Sequence, residues 1–440
     1  PKGSAGNYYD LSTHDVKGNS VPRSTANCYI ISHPGYYKIP LVYGNAITNG
    51  ATKTNAYQTS NTGAFILTHF KDHNNADITD PWIEKTNGGA NNGVDGAEVV
   101  WADAADLVHS PSITHVGGEG FLDFEVTAAD IQSGNAVVAV KKGGTIVWSW
   151  HLWFAPKDAL DKIPVTNHQG KVYNFTKETL GWKPTQWIGS TYDKPRTVKV
   201  KVEQTVANSG TKMAAVINIT QNPGSVKKGA TTLYQFGRKD AFPGVDASKL
   251  AAGSHFTENA GDNMTIQNGI LHPDSYYTDG SNWSTNYGYY NLWSADNTVT
   301  GGYNQGNDNP VVKTVYDPCP VGFKMPANNA FTGFTTTGQN SSTQSEFNVD
   351  GTSDWQTYQN NFGHNFWTSS SKTATINFPA SAYRFYNAGS LYYVGDYGYY
   401  WSAVPRNTYD GCPLSFSSGS VSPLSNYNRT YGFAARPVSE

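Results

Sequence analysis

The chain has 440 residues and a formal net charge of -3, and only 15% of its residues are charged, while it contains Gly 44, Tyr 28 and Trp 12. This length allows two or three domains with hydrophobic cores, and the composition favours short strands joined by many turns. The charge balance, without a basic stripe, excludes a nucleic-acid-binding surface of the usual kind. No run approaches the roughly 20 apolar residues that span a bilayer.

A polar lead-in, residues 1–24, precedes the predicted strands of an N-terminal β-sandwich. These strands are expected at Asn27–Ser32, Tyr36–Tyr43, Glu98–Ala102, Gly120–Val126, Ala136–Lys141 and Thr145–Phe154. The last of them is apolar on both faces by the two-residue period of a strand, which predicts a central strand buried on both sides. Its tryptophans are therefore interpreted as core side chains rather than as a carbohydrate platform.

Two histidines within the predicted sandwich are candidates for a metal site. His69 and His73 stand four residues apart in Ala64–His73, a segment that fits either a helical turn or a strand. On a helix, this spacing can place two imidazoles on one metal ion. Phe70 occupies the position where the zinc-protease motif has glutamate, so a solvent-facing pair is the preferred interpretation and no metal site is predicted.

A hairpin and then a domain boundary are predicted in the middle of the chain. Thr197–Val206 alternates strictly between valines and charged residues, and Lys212–Gln221 returns antiparallel to it after a bend at 208–210. The next stretch, 222–229, contains almost no apolar side chain that could pack into a core, which predicts a domain boundary. The predicted domains are therefore a sandwich at 25–222, a linker at 223–230 and a second domain at 231–440.

The second domain is organised around Val312–Pro326. Two prolines flank Cys319 there, and they exclude both a helix and a central strand, so the segment is predicted to be a fixed irregular crossing. Asn328–Phe334 predicts a short helix. Strands of one core sheet are predicted where a tryptophan stands beside a small hydroxyl residue, at Tyr290–Ser294, Asn365–Ser369 and Tyr399–Ser402. The region from Gly398 to Val438 predicts one small antiparallel sheet.

Several of these stretches resemble known families. Residues 316–326, reading Tyr-Asp-Pro-Cys-Pro-Val-Gly-Phe-Lys-Met-Pro, and the terminal Gly-Phe-Ala-Ala-Arg-Pro-Val resemble the Fibrobacter major paralogous domain, in a pattern ordered over Tyr234–Val438. Upstream, Thr25–Ser32, Tyr37–Asn45 and Val147–Trp153 resemble fimbrillin-like surface proteins of Bacteroidetes. The resemblance implies a mostly β chain: an N-terminal β-sandwich followed by a C-terminal α+β domain related to the C-type-lectin and formylglycine-generating-enzyme folds.

The same resemblance implies an extracellular, fimbrial or outer-membrane-anchored protein, held to the membrane only by a lipid anchor upstream of Pro1. Its partners would be other fimbrial or surface subunits and a host or bacterial surface ligand such as a glycan. The sequence contains no Gly-x-Ser-x-Gly elbow, phosphate loop or Cys-x-x-Cys pair. We therefore expect a non-catalytic adhesin component without a cofactor, or alternatively a surface glycan-binding lectin that is not part of a pilus.

The cysteine count is 3, which excludes a disulfide scaffold but leaves room for one bridge. Cys319 and Cys412 both lie in the predicted second domain, whereas Cys28 lies in a predicted buried strand of the first. A bridge between Cys319 and Cys412 is the pairing considered, although the prolines that follow both residues restrict the backbone.

The candidate ligand site is the segment Tyr383–Tyr397, which precedes the predicted strand at Trp401. Lectin-like folds carry a variable ligand loop at this place. Tyrosines beside Gly, Ser and Asn provide rigid contact area with adaptable hydrogen bonding. Ligand contact is predicted for Arg384, Tyr386, Tyr392, Tyr393 and Tyr397, with Asp396 fixing the orientation. The alternative is that these tyrosines only cover a small core.

Overall fold

The computed structural model describes residues 1–187, 196–207, 209–221, 226–298 and 300–440. The chain is mostly β, as predicted. Its contacts divide it into two compact units: Pro1–Lys183 together with Ala230–Glu440 form the first, and Pro184–Gly229 forms the second. Among the described residues, no helix is both long and apolar enough to cross a membrane.

The N-terminal part of the first unit consists of short strands. They are β1 Tyr9–Asp10, β2 Cys28–Ile31, β3 Gly35–Pro40, β4 Ile47–Thr48, β5 Ala51–Thr52, β6 Gly96–Ala102, β7 His109–Val116, β8 Glu119–Val126, β9 Gly134–Lys142, β10 Thr145–Phe154, β11 Lys162–Thr166 and β12 Val172–Thr176. One sheet has the order β1-β3-β8-β7 and another the order β2-β10-β9-β6. The strands predicted for a sandwich all lie in these two sheets, and both sheets contribute to one hydrophobic core.

Strand β10 is the central strand that its two apolar faces predict. It pairs in parallel with β2 on one side and antiparallel with β9 on the other. All its residues from Val147 to Phe154 are buried, including Trp148, Trp150 and Trp153. The tryptophans are core side chains, as predicted, because a strand that is covered on both faces has no solvent side on which to display them.

The second unit is described by two strand pairs. The strands of this region, whose end residues Lys183 and Ala230 belong to the first unit, are β13 Lys183–Trp187, β14 Arg196–Glu203, β15 Ala214–Gln221 and β16 Val226–Ala230. β13 pairs with β16, and β14 pairs antiparallel with β15 over their full lengths. The predicted hairpin is confirmed in these two strands, whereas Asn208 of the predicted bend lies outside the described residues.

The C-terminal part of the first unit adds further short strands and helices. The strands are β17 Phe323–Lys324, β18 Gly363–Trp367, β19 Thr375–Pro379, β20 Tyr383–Arg384, β21 Leu391–Tyr392, β22 Gly398–Pro405, β23 Asp410–Ser417, β24 Ser420–Ser422, β25 Tyr427–Asn428 and β26 Val438–Ser439. The α-helices of the chain are α1 Thr86–Gly89, α2 Ile266–Leu271, α3 Ser281–Asn286 and α4 Trp355–Asn361. The 3₁₀ segments are Thr54–Ala56, Ala247–Lys249, Asn328–Phe334 and Gln344–Glu346. The short helix predicted at Asn328–Phe334 is therefore present, with 3₁₀ geometry.

Strands from both halves of the chain share one sheet, in the order β11-β12-β26-β17. Val438 of β26 pairs with Phe175 of β12 and with Lys324 of β17. Dividing the chain between the halves would break these ladder hydrogen bonds. The contacts thus differ from the predicted division into 25–222 and 231–440, because 1–183 and 230–440 form one unit. Residues 222–225 of the predicted boundary lie outside the described part.

The irregular crossing predicted around Cys319 packs directly against strand β2. Asn27 Nδ2 donates to Val315 O at 2.7 Å and to Asp317 O at 2.8 Å. The Asp317 carboxylate accepts from the backbone N–H groups of Cys319 at 2.7 Å and Met325 at 2.9 Å. Side chains thus satisfy the backbone of a segment in which proline prevents regular pairing.

The prediction of one core sheet built on three tryptophan strands is wrong. Tyr290–Ser294 is not a strand, β18 pairs with β19, and β22 lies in a different sheet with β23 and β24. Trp293 is nevertheless fully buried, and its indole N–H donates to Tyr316 O at 3.1 Å. Of the other two tryptophans in this pattern, Trp401 is fully buried and Trp367 is partly buried, and both lie in strands. Of the small sheet predicted at the end of the chain, β22, β23, β24 and β25 are present, whereas Val438 belongs to β26 and pairs with β12 and β17 in another sheet.

The considered bridge between Cys319 and Cys412 is not formed. Cys28, Cys319 and Cys412 are free and buried. Pro320, the residue after Cys319, forms a β-bridge with Cys28 in the other half of the chain. Cys412 lies elsewhere, against Gly301, where an added Cβ would lie 2.9 Å from its sulfur. The prediction failed because Cys319 lies beside strand β2 whereas Cys412 lies against Gly301.

All three thiols are expected to resist alkylation in the native protein and to react after unfolding. Burial raises the pKa of the Cys412 thiol to about 12 and raises those of Cys28 and Cys319 as well, so the reactive thiolate is scarce at neutral pH. Mass spectrometry after iodoacetamide treatment should find no label without denaturant and three labels with it. One label in denaturant under non-reducing conditions would indicate a bridge.

Candidate binding surface

The predicted ligand segment forms a narrow hairpin followed by a tight turn. Tyr383 of β20 pairs with Tyr392 of β21, and Arg384 pairs with Leu391. Tyr392 is 44% exposed and Tyr393 is 51% exposed. The structure therefore places both loop tyrosines at the surface, where the prediction expected them.

Tyr393 has the left-handed backbone conformation, with φ of 57°. This conformation is rare for a bulky residue with a Cβ and costs roughly 1–2 kcal/mol relative to a right-handed one. The turn that follows closes on this residue, because Tyr393 O accepts from the N–H groups of Asp396 at 3.1 Å and Tyr397 at 3.3 Å. The backbone strain thus coincides with an exposed aromatic ring.

Helix α4 and the segment before β20 hold this turn in place. Tyr358 Oη donates to Asp396 O at 2.9 Å, and Gln359 Nε2 donates to Gly395 O at 3.0 Å. Gly395 N in turn donates to Ala380 O at 2.9 Å. Asp354 caps the helix, since its carboxylate accepts from the N–H of Thr357 at 3.0 Å. The turn is therefore fixed by its neighbours, which is the condition for a preorganised contact surface.

The exposed loop tyrosines belong to a larger group of partly exposed rings, which we call the tyrosine cluster. Its members are Tyr383, Tyr386, Tyr392, Tyr393, Tyr397, Tyr427 and Tyr431. Neighbouring rings have centroid separations of 5.0 to 6.3 Å. At its edge, Asn428 Nδ2 donates to the Asp279 carboxylate at 2.8 Å. An aromatic centre with a polar edge is the usual layout of a protein interaction surface.

Two members of the tyrosine cluster, Tyr383 and Tyr431, have hydroxyl groups that keep their protons at neutral pH. Burial, with smaller contributions from neighbouring tyrosines, raises the pKa of Tyr383 to about 12. The pKa of Tyr431 is also raised, again mainly by burial. These hydroxyls can therefore donate hydrogen bonds to a ligand without introducing negative charge.

Four of the six predicted contact residues are tyrosines of this cluster. The other two, Asp396 and Arg384, are not part of it. Asp396 is partly buried and lies 3.5 Å from Gln359 Nε2, within the turn that carries the tyrosines. Sequence reasoning missed Tyr383, Tyr427 and Tyr431.

Arg384 is not a surface contact residue, in contrast to the prediction. Its side chain is fully buried. Its guanidinium donates to the backbone oxygens of Pro243 at 2.9 Å, Val245 at 2.9 Å and Gly389 at 2.6 Å, and to the Glu258 carboxylate at 3.1 Å. A guanidinium whose donors are used by buried carbonyl groups ties the hairpin to the core and is not available to a ligand.

Ser149 and Lys239 form a buried pair that resembles a nucleophile and its base. Lys239 Nζ lies 2.6 Å from Ser149 Oγ and 2.6 Å from the Asp240 carboxylate. Burial lowers the pKa of Lys239, while burial is outweighed at Asp240, where Lys239 and Arg238 hold the pKa below its ordinary value. The adjoining cavity has a volume of only about 10 Å³. This space is too small for a substrate, so the geometry assigns the group to the core.

Two other features carry no ligand assignment. A cavity of about 720 Å³ lies between the lead-in and β2, and both lysine and aspartate side chains line it, so its charge indicates no ligand class. His69 and His73 do not share a helical face, because Ala64–His73 is not helical. In the described part of the chain, no group of three His, Cys, Asp or Glu side chains is placed to hold a metal ion.

Comparison with known proteins gives one match. A family model described as a domain of unknown function (DUF8237) matches residues 333–438. The matched stretch contains α4, the turn at residues 393–397 and the whole tyrosine cluster. No curated protein and no solved structure matches the chain. The similarity to this family therefore concerns the C-terminal quarter of the chain that carries the candidate surface.

Proposed function

We propose that this chain is a non-catalytic component of the cell surface, of the fimbrial adhesin kind, that contacts its ligand through the tyrosine cluster. In this proposal the protein is extracellular, is anchored upstream of Pro1 or built into a fimbria, and has other surface subunits as partners. The C-terminal part would present the ligand loop of a C-type-lectin-like domain. Its ligand is a molecule on a host or bacterial surface.

The observation that supports the proposal most directly is the strained, exposed Tyr393. At φ of 57° a glycine would avoid the steric cost, yet the chain places there a tyrosine that is 51% exposed. Backbone strain of this kind persists where the surroundings over-determine it and concentrates at binding sites. The ring of Tyr393 stacks on Tyr383 and touches Tyr392 and Tyr397, and about half of the residue's surface still faces solvent.

The second candidate function is a surface lectin that is not part of a pilus. The feature that favours it is the combination of exposed tyrosine rings with the Asn428–Asp279 pair at the edge. Aromatic faces attract the partially positive C–H groups of a sugar ring, and the polar edge provides hydrogen bonds. Binding to immobilised purified glycans would favour this function, whereas co-purification with fimbrial subunits would favour the first.

The variant Tyr393→Gly separates a binding role from a packing role. Glycine relieves the left-handed strain while it removes the ring, so the free energy of unfolding should stay within about 1 kcal/mol of wild type. Binding of the labelled chain to a panel of host cells, bacterial cells and arrayed glycans should fall at least tenfold, because interface energy concentrates in a few aromatic side chains. The double variant Tyr392→Ala with Tyr393→Ala should abolish it.

Tyr303→Ala is the matched control. Tyr303 is 67% exposed and packs against the Arg406 guanidinium at 5.3 Å rather than against the tyrosine cluster. This variant should bind like wild type. Unchanged binding of the Tyr393→Gly variant, or an equal loss in the Tyr303→Ala variant, would contradict the proposed surface.

A further inference from the structure

Large exposed apolar side chains gather where helix α4 meets the turn after β21. Within 231–440, six described side chains of this kind are exposed, and four of them lie here: Trp355, Tyr392, Tyr393 and Val394. The Trp355 ring stacks on the Tyr358 ring at 6.3 Å, and Tyr358 is the residue that holds the turn. Trp355 is 55% exposed, so α4 adds an indole to the tyrosine cluster. We call Trp355 and the tyrosine cluster together the aromatic surface.

Three carboxylates border the aromatic surface. Asp354 directly precedes Trp355, and Asp396 lies in the turn itself. Asp279 stands at the edge of the cluster, where its backbone N–H donates to Tyr386 O at 2.8 Å. Within the described residues, the side-chain partners of these carboxylates are neutral: threonine groups at Asp354, and amide groups at Asp396 and Asp279. A cation of the chain therefore does not balance their negative charge by direct contact.

The basic residues of the stretch 333–438 are occupied or lie elsewhere. Three are fully buried, and their guanidinium groups donate to backbone carbonyls: Arg384, Arg429 and Arg436. Arg406 is held in an ion pair at 3.1 Å, and Lys372 lies in the turn between β18 and β19, at the end of β18 that is farther from α4 along the chain. The faces of aromatic rings and the carboxylates both favour positive charge. The aromatic surface is therefore complementary to a cation.

We propose that the ligand of the aromatic surface is a basic protein segment, whose lysine or arginine side chains lie on the faces of Trp355 and the exposed tyrosines. This inference rests on the proposed function and names the class of its ligand. A cation is attracted by the quadrupole of an aromatic ring, most strongly over tryptophan. The carboxylates lie at separate places, beside α4, in the turn and beside Tyr386. Several cations spaced along one polypeptide can meet them, whereas a single charged headgroup meets only one.

Fluorescence anisotropy of the full chain with a labelled peptide tests the charge of the ligand. The probe is a peptide in which lysine alternates with glycine and serine. Its affinity should fall roughly tenfold or more when every lysine is acetylated, because acetylation removes the charge and the cation–π donor. Its affinity should also fall as salt is added, because the carboxylates are exposed to screening. Equal affinity for the acetylated peptide would overturn the proposal.

Two variants test the groups that recognise the cation. Trp355→Leu keeps an apolar side chain but removes the aromatic face, so it should weaken binding of the lysine peptide several-fold. Asp279→Asn combined with Asp354→Asn removes two charges and should weaken it by about tenfold. Asparagine caps a helix as well as aspartate does and can still accept hydrogen bonds, so the fold is retained.

Asp296→Asn is the matched control for the loss of charge. Asp296 is exposed and stands beside Asn297, whose amide donates to Ala403 O at 2.9 Å, away from the aromatic surface. This variant should bind the lysine peptide like wild type. An equal loss of affinity in this control would show that only the overall charge of the chain matters, and it would overturn the assignment to the aromatic surface.

The panel of cells and arrayed glycans separates this inference from the proposed function. If Tyr393→Gly loses binding to the panel while the double asparagine variant binds like wild type, the proposed surface stands and the cationic ligand is overturned. Loss of panel binding in both variants would support the cationic ligand. Vesicles of phosphatidylcholine present the other source of a cation, a single quaternary ammonium group. Binding to these vesicles without binding to the lysine peptide would overturn the protein segment as the ligand.

Discussion

Replacing Arg384 with alanine is expected to lower the free energy of unfolding by about 3–5 kcal/mol, as breaking a buried charged network does. The reason is the number of partners that would remain buried without a donor. The oxygens of Pro243, Val245 and Gly389 all accept from this one side chain. Each buried acceptor left unsatisfied costs about 1–3 kcal/mol. Burial lowers the pKa of the Arg384 guanidinium because it removes water from the charged group. The hydrogen bonds and the Glu258 carboxylate therefore take the place of water in stabilising the charge.

Denaturant unfolding of the Arg384→Ala variant measures this effect. Arg384→Lys should recover only part of the loss, because an ammonium group cannot reproduce the planar fork that reaches three carbonyls and Glu258. Arg406→Ala is the control, since Arg406 is partly exposed and forms a surface pair with Asp410 at 3.1 Å. That control should cost about 1 kcal/mol or less. A change within about 0.5 kcal/mol at Arg384 would instead be typical of the surface role that the sequence predicted.

The case of Arg384 illustrates why the sequence predicted the exposed tyrosines of this segment but not the burial of their neighbour. A segment rich in tyrosine and glycine predicts exposed aromatic contacts, and Tyr392 and Tyr393 are exposed. Arg384 lies in the same tyrosine- and glycine-rich segment as the exposed tyrosines. Its burial depends on the carbonyl groups of Pro243 and Val245, which are far away along the chain. Local composition contains no information about such partners. The left-handed Tyr393 was equally unpredictable, because the nearby glycine, Gly395, indicated a turn without identifying the strained residue.

The fold was predictable where a periodic pattern decides the structure and unpredictable where distant segments pair. The period of two along β10 predicted its bounds and its burial, and the same period predicted the β14–β15 hairpin. β26 is only two residues long, and it pairs with β12 more than 250 residues earlier. No periodicity exists in two residues, so its partner follows only from packing. The missed pairing is also why the sequence suggested separate domains.

The stability of the protein is expected to fall as the pH drops from about 6.5, and His151 is a main cause. Its ring is fully buried in strand β10, and burial lowers its pKa from 6.5 to about 3. Below pH 6.5, His151 binds a proton in the unfolded chain, whereas in the folded chain it binds this proton only at about pH 3. The unfolded state thus binds more protons across this window, so the contribution of His151 is complete above pH 6.5 and is lost on acidification.

The contacts of His151 explain why the folded state needs the neutral ring. Asn135 Oδ1 lies 2.8 Å from Nε2, and the amide of the same Asn135 donates to the Asp103 carboxylate at 2.9 Å, which leaves Oδ1 as an acceptor for the Nε2–H group. Nδ1 lies 3.4 Å from the hydroxyl of Tyr234. A neutral imidazole satisfies this arrangement with one donor and one acceptor, whereas a second ring proton would compete with the hydroxyl proton of Tyr234.

The test compares the free energy of unfolding of wild type and His151→Gln at pH 7.5 and at pH 4. The loss between these values should be about 3 kcal/mol smaller in the variant, because one pKa unit corresponds to about 1.4 kcal/mol. Using the difference between proteins removes the opposing effect of Asp103 and Asp317, whose pKa values burial raises. His364, with a pKa lowered to about 4 by burial, continues to act in both proteins. His168→Gln, at an exposed histidine, should retain the wild-type loss. A variant at position 151 with the full wild-type loss would show that this ring is not what makes the fold sensitive to acid.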